Sequence, residues 1–144
     1  MPDMEEIKSF LTQAERYETQ INSKLEEAAR LKQLTLKVTT SLKQDVVSSS
    51  GNSDKLGDSV AKMLDLQAEI NAAIGGLVDS KREIESVINQ VQNPNQLYVL
   101  TQRYLLYKTL WEISEEMNMS YRNVCYIHGD GLKAVERILK AANG

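Results

Sequence analysis

Apolar side chains recur every three or four residues along most of this chain, and strand-like alternation is nearly absent. Ile7, Leu11, Ala14, Ile21, Leu25, Ala28, Leu31, Leu34, Val38 and Leu42 form a slightly wandering stripe. That spacing predicts one long helix from residue 4 to about 45. Thr35, Thr39, Thr40 and Ser41 weaken its last turns. The stretch SSSGNSD at 48–54 breaks the pattern, so a solvated loop is expected over 46–54, with Asp54 capping the next helix. That second long helix is expected from about Lys55 to Val91. Its stripe runs Leu56, Val60, Met63, Gln67, Ile70, Ile74, Leu77, Lys81, Ile84, Ile88 and Val91, a heptad seam whose polar members are Gln67 and Lys81. Gly75-Gly76 in mid-helix costs roughly 2 kcal/mol against two alanines, which predicts a close crossing or a bend there.

Neither long helix can bury its stripe alone, so the two are expected to fold back as an antiparallel hairpin over residues 1–92. Two helices leave apolar surface uncovered, and the expectation extends to a homodimer or higher oligomer through that hairpin. Asn93-Pro94 marks a change of module, because proline is tolerated at a helix start and not in its interior. Residues 93–144 then hold a third helix at about 95–107, with Leu97, Leu100, Tyr104 and Leu105, followed by a pair of helices. The fold class is therefore all-α, a coiled-coil-like hairpin followed by a C-terminal helix-turn-helix module.

Residues 100–132 carry the pattern that suggests a role beyond folding. Thr109 and Glu112 have capping-box spacing at the start of LWEISEEM. Asn118 follows that helix and can take the left-handed conformation that ends it. Met119 can tuck inward, and Ser120 is placed to cap a second helix beginning at Tyr121. Ser114 is small where the two helices would cross, and Ile113, Met117, Val124, Ile127 and Leu132 supply a shared apolar face.

These residues resemble region 4 of bacterial sigma factors. The matching positions are Arg103-Tyr104, the run Thr109 to Ser120, and then Val124, Ile127 and Leu132, with no gap from Thr109 to Leu132. The sigma recognition helix is rich in Arg where this chain has Tyr121, Asn123, Cys125 and Asp130, and no promoter-melting region has a counterpart. The resemblance thus implies a DNA-reading module and not a complete sigma factor. More narrowly, the chain resembles small phage and prophage proteins that join a helical hairpin to such a module, some of them similar to ArpU-type late-gene regulators. The resemblance implies a sequence-specific, double-stranded DNA-binding regulator of phage or prophage transcription.

Composition narrows this only a little. The chain has 144 residues, enough for one ordinary domain or two small modules, and its 42% hydrophobic and 26% charged content excludes wholesale disorder. Net charge is −3, which offers no global attraction to nucleic acid. Residues 95–144 hold 6 Lys/Arg against 5 Asp/Glu, giving +1, and the remainder holds 11 against 15, giving −4. Cys125 is the lone cysteine, so no intramolecular disulfide can form, and no Cys/His cluster has zinc spacing. The start MPDMEEIKSF is acidic and lacks an apolar core, so no secretory leader is expected and a bacterial cytoplasm is the simplest home. No nucleophile–base set or phosphate-cradling glycine loop stands out; neither an enzyme nor a cofactor is expected.

The candidate DNA contacts are Lys108, Thr109, Ser120, Tyr121, Arg122, Asn123 and Tyr126. A second helix laid in the major groove presents its early residues to base edges. Arg can pair with guanine, Asn with adenine, and Tyr can pack on a thymine methyl or reach phosphate. By the resemblance, residues 121, 122 and 126 match base-reading positions. Lys108 and the amides behind Thr109 can hold a phosphate. Each has a plainer alternative: capping for Thr109 and packing on a neighbouring helix for the two tyrosines. Lys133, Arg137 and Lys140 suit a solvated face equally well, His128 reads as structural or surface, and Cys125 as a half-buried small residue. Gly129 and Gly131 are open to two readings, close approach of another element or a relaxed helix near DNA. Two alternatives keep the fold and change the partner: an adaptor contacting RNA polymerase, or a DNA-packaging recognition subunit.

Overall fold

Asp3 opens the first helix by accepting a hydrogen bond from the Glu6 amide at 2.9 Å, and every later element is helical as well. The computed structural model describes residues 3–44 and 49–143. Among them are six helices and no strand: α1 (Met4–Leu11), α2 (Gln13–Gln44), α3 (Ser49–Ile88), α4 (Pro94–Tyr104), α5 (Leu110–Met117) and α6 (Tyr121–Asn143). No helix among the described residues is long and apolar enough to cross a membrane.

The helix expected from residue 4 to 45 is divided at Thr12. Its hydroxyl donates to the Lys8 carbonyl at 2.8 Å, and the Arg16 guanidinium donates to Thr12 Oγ1 at 2.7 Å and to the Ser9 carbonyl at 2.9 Å. Side chains thus bond carbonyls where the regular ladder is interrupted. Of the loop expected over 46–54, residues 46–48 lie outside the described residues. From Ser49 onward the chain is already helical, so Asp54 sits inside α3 rather than capping it. Ser, Gly and Asn are poor helix formers, but each residue added to an existing helix gains a hydrogen bond without a new nucleation cost.

The chain divides into two compact units, residues 1–17 with 76–144, and residues 18–75. The sequence pattern places the change of module at 92/93 instead. In the first unit α6 packs on α1, α4 and α5. Ile7, Leu11 and Ala14 join Ile84, Ile88, Val91, Leu100, Tyr104, Leu132 and Val135 in one buried cluster. The last turns of α3 therefore share a core with the C-terminal helices, which is why Asn93-Pro94 does not separate two units. The Asn93 side chain caps α4, accepting from the Asn95 and Gln96 amides at 3.0 and 3.1 Å, with Pro94 in the first turn. Within this unit Gly76 lies against Tyr17: a Cβ there would overlap the phenol ring, whereas a Cβ on Gly75 would meet nothing. The close approach expected of the glycine pair belongs to Gly76 alone.

In the second unit, Lys24 pairs with Glu69 at 3.1 Å and the Thr35 hydroxyl lies 3.6 Å from Met63 Sδ, so α2 and α3 run in opposite directions. The buried seam of α3 differs from the expected one at alternate positions from Val60 to Lys81 and agrees with it again at Ile84, Ile88 and, past the helix end, Val91. Leu56, Met63, Ile70, Leu77 and Ile84 face inward as anticipated, but Ser59, Leu66, Ala73 and Ser80 alternate with them. Val60, Gln67 and Ile74 are exposed. At 59/60 and 73/74 a larger apolar neighbour drew the expected stripe one residue aside from a small inward residue, while at 66/67 and 80/81 the inward residue, Leu66 or Ser80, lies beside the polar Gln67 or Lys81. In α2 the inward face is likewise one residue away from the expected stripe at two positions: Leu25 and Leu34 are exposed and Lys24 and Thr35 are half-buried.

Candidate nucleic-acid interface

Two short-range devices set the geometry of α5 and α6 in the first unit. Thr109 Oγ1 accepts the Glu112 amide at 3.1 Å, and Glu112 Oε1 accepts the Thr109 amide at 3.3 Å, which completes the capping box. α5 ends at Asn118 in the left-handed region, φ 54° and ψ 41°. The amide of Met119 then reaches back to the Ser114 carbonyl at 3.0 Å, closing the helix end. Two residues after the left-handed turn, Ser120 Oγ accepts the Asn123 amide at 3.1 Å and α6 begins.

The angle between the helices is held by a small core. Val99 of α4, Ile113 of α5 and Val124 of α6 are fully buried together, with Leu110, Met117, Met119 and Ile127 packed around them. Ser114 is also buried, and its hydroxyl donates to the Trp111 carbonyl at 2.6 Å. Leu132, expected on this face, belongs to the other cluster with Leu100 and Tyr104. It lies two turns farther along α6, where α5 no longer reaches. Gly131 explains how α6 approaches α4 there: a Cβ would stand 3.2 Å from the Leu100 side chain. Gly129 faces open space.

His128 and Tyr104 form a polar pair inside the first unit. The phenol oxygen and Nε2 are 2.6 Å apart, and the rings stack with centroids 5.7 Å apart. Burial, and then the positive charges of Arg103 and Lys8, hold the imidazole down to a pKa of about 4. Burial also pushes the Tyr104 phenol up to about 12. The neutral imidazole links α6 to α4 as a structural bond. Among the described residues no group of three or more His, Cys, Asp and Glu is placed to hold a metal ion.

The seven candidate residues lie along the start of α5 and the first turns of α6, but their neighbours differ. Tyr121, Arg122, Asn123 and Tyr126 are all exposed. Arg122 Nε donates to the Tyr126 hydroxyl at 3.2 Å, and its guanidinium stands 5.7 Å from that ring's centroid. Asn123 Nδ2 lies 3.4 Å from Met119 Sδ. The Tyr121 phenol is raised by its hydrogen bond with Cys125, which is half-buried beside it. Thr109 and Ser120 are engaged as caps. Lys108 is paired with Glu116 at 2.8 Å, and that bond raises the pKa of its ammonium.

Trp111 was not among the residues the sequence singled out. It is 59% exposed, its ring lies 5.7 Å from that of Tyr121, and its Nε1 donates to Glu115 Oε1 at 3.0 Å. A large aromatic at a helix position facing away from Ile113 was the signal available. The groove of about 710 Å³ bordered by Gln90, Asn93, Gln96, Arg137 and Ile138 contains none of the seven candidates.

Neither a curated protein nor a solved structure matches the chain. A family described as a protein of unknown function, DUF1492, matches residues 36–134, well over half of the chain's length. That span takes in α3, α4, α5 and most of α6, and on it the chain belongs to the DUF1492 family.

Proposed function

We propose that this protein is a sequence-specific, double-stranded DNA-binding regulator of phage or prophage transcription, with α5 and α6 as a helix-turn-helix and α6 as its reading helix. One observation carries the reading. A capped α5, a left-handed Asn118 and a Ser120-capped α6 present Tyr121, Arg122, Asn123 and Tyr126 outward on the first turns of α6. A helix so presented can enter the major groove with donors and aromatic edges leading. The preceding hairpin and the resemblance to region 4 of sigma factors support the same reading. Lys108 would first exchange Glu116 for a phosphate oxygen.

The test is selection of duplexes from a random pool, followed by titration of the winner and a scrambled duplex across salt. Enrichment of one motif, bound far more tightly than the scrambled duplex, is expected. Arg122→Ala should relax preference at one position, and Lys108→Ala should weaken all duplexes alike while lowering the salt slope by about one. No enrichment and no binding at low salt would overturn the reading.

A second reading is favoured by the surroundings of Lys108. Glu112, Glu115 and Glu116 make the exposed side of α5 acidic, Trp111 and Tyr121 form an exposed aromatic pair, and Tyr126 is exposed farther along α6. Such a surface suits a protein partner, of which RNA polymerase is the candidate, better than a polyanion. Co-purification with polymerase, without duplex affinity, would select it.

A further inference from the structure

The two sides of the helix pair in the second unit differ in chemistry. The side lined by Glu27, Arg30, Leu34, Lys62, Asp65 and Glu69 is a groove bordered by charges of both signs. These residues precede the seam positions in each heptad. Residues just after the seam lie on the opposite side, because flanks of the same kind adjoin when two helices run antiparallel. There α2 places Leu25 and Leu36, and α3 places Val60, Leu64 and Ile74. All five are exposed, Leu64 to 68%. From Val60 to Ile74 this face of α3 carries no charged side chain, and its only large polar residues are Gln67 and Asn71, joined by a 3.1 Å hydrogen bond.

We propose that this side is a self-association surface, on which a second copy of the chain docks antiparallel about a two-fold axis level with Glu69. One symmetry operation satisfies three pairings together. On α3, the order Leu64, Gln67, Asn71, Ile74 reads the same in chemical character from either end, so Leu64 meets Ile74 of the second copy and Gln67 meets Asn71. On α2, the Lys24–Glu69 bond puts Lys24 at the level of the axis, which sets Leu25 against Leu25 of the second copy. Seven residues to either side, Glu18 then faces Lys32 of the second copy, and the pair occurs twice. Among the described residues neither Glu18 nor Lys32 has an ion-pair partner within its own chain. Apolar, amide and charged positions all find complements in the same chain, as an isologous interface requires. The central amides fix the register, because a slip would bury them against apolar side chains.

The proposal does not rest on the DNA reading, and its test contains no DNA. Sedimentation equilibrium of the full chain should show a monomer–dimer equilibrium. Leu64→Lys should weaken it about hundredfold, because it places a charge in an apolar seam. Leu64 is exposed in the single chain, so far-UV circular dichroism should stay that of the parent. Glu18→Lys should weaken the dimer, and adding Lys32→Glu should restore it. In a Cys125→Ser background, Leu25→Cys should cross-link to itself under mild oxidation, whereas Glu27→Cys on the charged side should not. A chain that stays monomeric at about 100 µM overturns the proposal. So does a Leu64→Lys variant of unchanged helicity and association, a charge swap without rescue, or equal cross-linking at positions 25 and 27.

Discussion

The first unit and the second are both built from helices, yet they bury their side chains to different degrees. In the first, Ile7, Leu11, Ile84, Ile88, Val99, Leu100, Ile113, Val124 and Val135 are wholly removed from solvent. In the second, Ile21, Leu66, Ile70 and Ala73 are buried, while Leu25, Leu34, Leu36, Val60, Leu64 and Ile74 remain exposed. Helices crossing from several directions can enclose a core, whereas two helices side by side cover one stripe each. The first unit encloses nine large side chains completely, whereas the second leaves apolar side chains of both its helices in solvent.

The largest expected effect tests that contrast. Leu100→Ala removes a fully buried side chain from a many-sided core and should cost about 2–5 kcal/mol in urea unfolding. Leu66→Ala lies in a thinner seam that can close more easily and should cost less, with a loss that varies with protein concentration. Equal, concentration-independent losses would erase the distinction between the units.

Acid should act on the first unit first. The His128 imidazole has a folded pKa of about 4, below the 6.5 of the free side chain. The unfolded state therefore binds more protons between those values. Stability from this group is complete above about pH 6.5 and is lost as pH falls towards 4. His128→Gln should flatten the fall in urea midpoint over that window, and an unchanged slope would mean that another group titrates there.

Backbone conformation gives a smaller effect. Asn118→Val puts a β-branched residue at φ 54° and should destabilise the first unit by about 1–2 kcal/mol, measured by thermal unfolding, whereas Asn118→Gly should be close to neutral. The smallest effect has opposite signs in the two units. Gly75→Ala adds a methyl in open space within a helix and should stabilise by about 0.5–1 kcal/mol. Gly131→Ala presses on the fully buried Leu100 and should instead destabilise, by up to about 1 kcal/mol. The same sign for both would mean that Leu100 can yield.

Local chemistry was the legible part of the candidate interface. Thr109 with Glu112, Asn118 and Ser120 act on amides and carbonyls within five residues of themselves, so their pattern alone placed α5 at Leu110–Met117 and started α6 at Tyr121. Asn93-Pro94 placed the start of α4 for the same reason. The division at Thr12 was not legible, because no glycine, proline or capping pattern marks it; Arg16 reaches back to the Ser9 carbonyl there, two turns away. The partner of Lys108 escaped notice as well: Glu116 lies two turns away, and only the path of the chain through the α5 start brings them together.

The amino-acid sequence by itself determined that this chain is helical and where its short helices begin and end, since periodicity and caps act over one or two turns. Tertiary structure alone decided which side of each helix is inside. A helix with apolar residues on neighbouring stripes has two plausible buried faces, and α3 buries Ala73 and Ser80 while leaving Val60 and Ile74 in solvent. It also decided that Ile7 and Leu11 share a core with Leu132 and Val135, residues more than a hundred positions away. Burial depends on what the opposing helix offers at each level, and no local pattern carries that information.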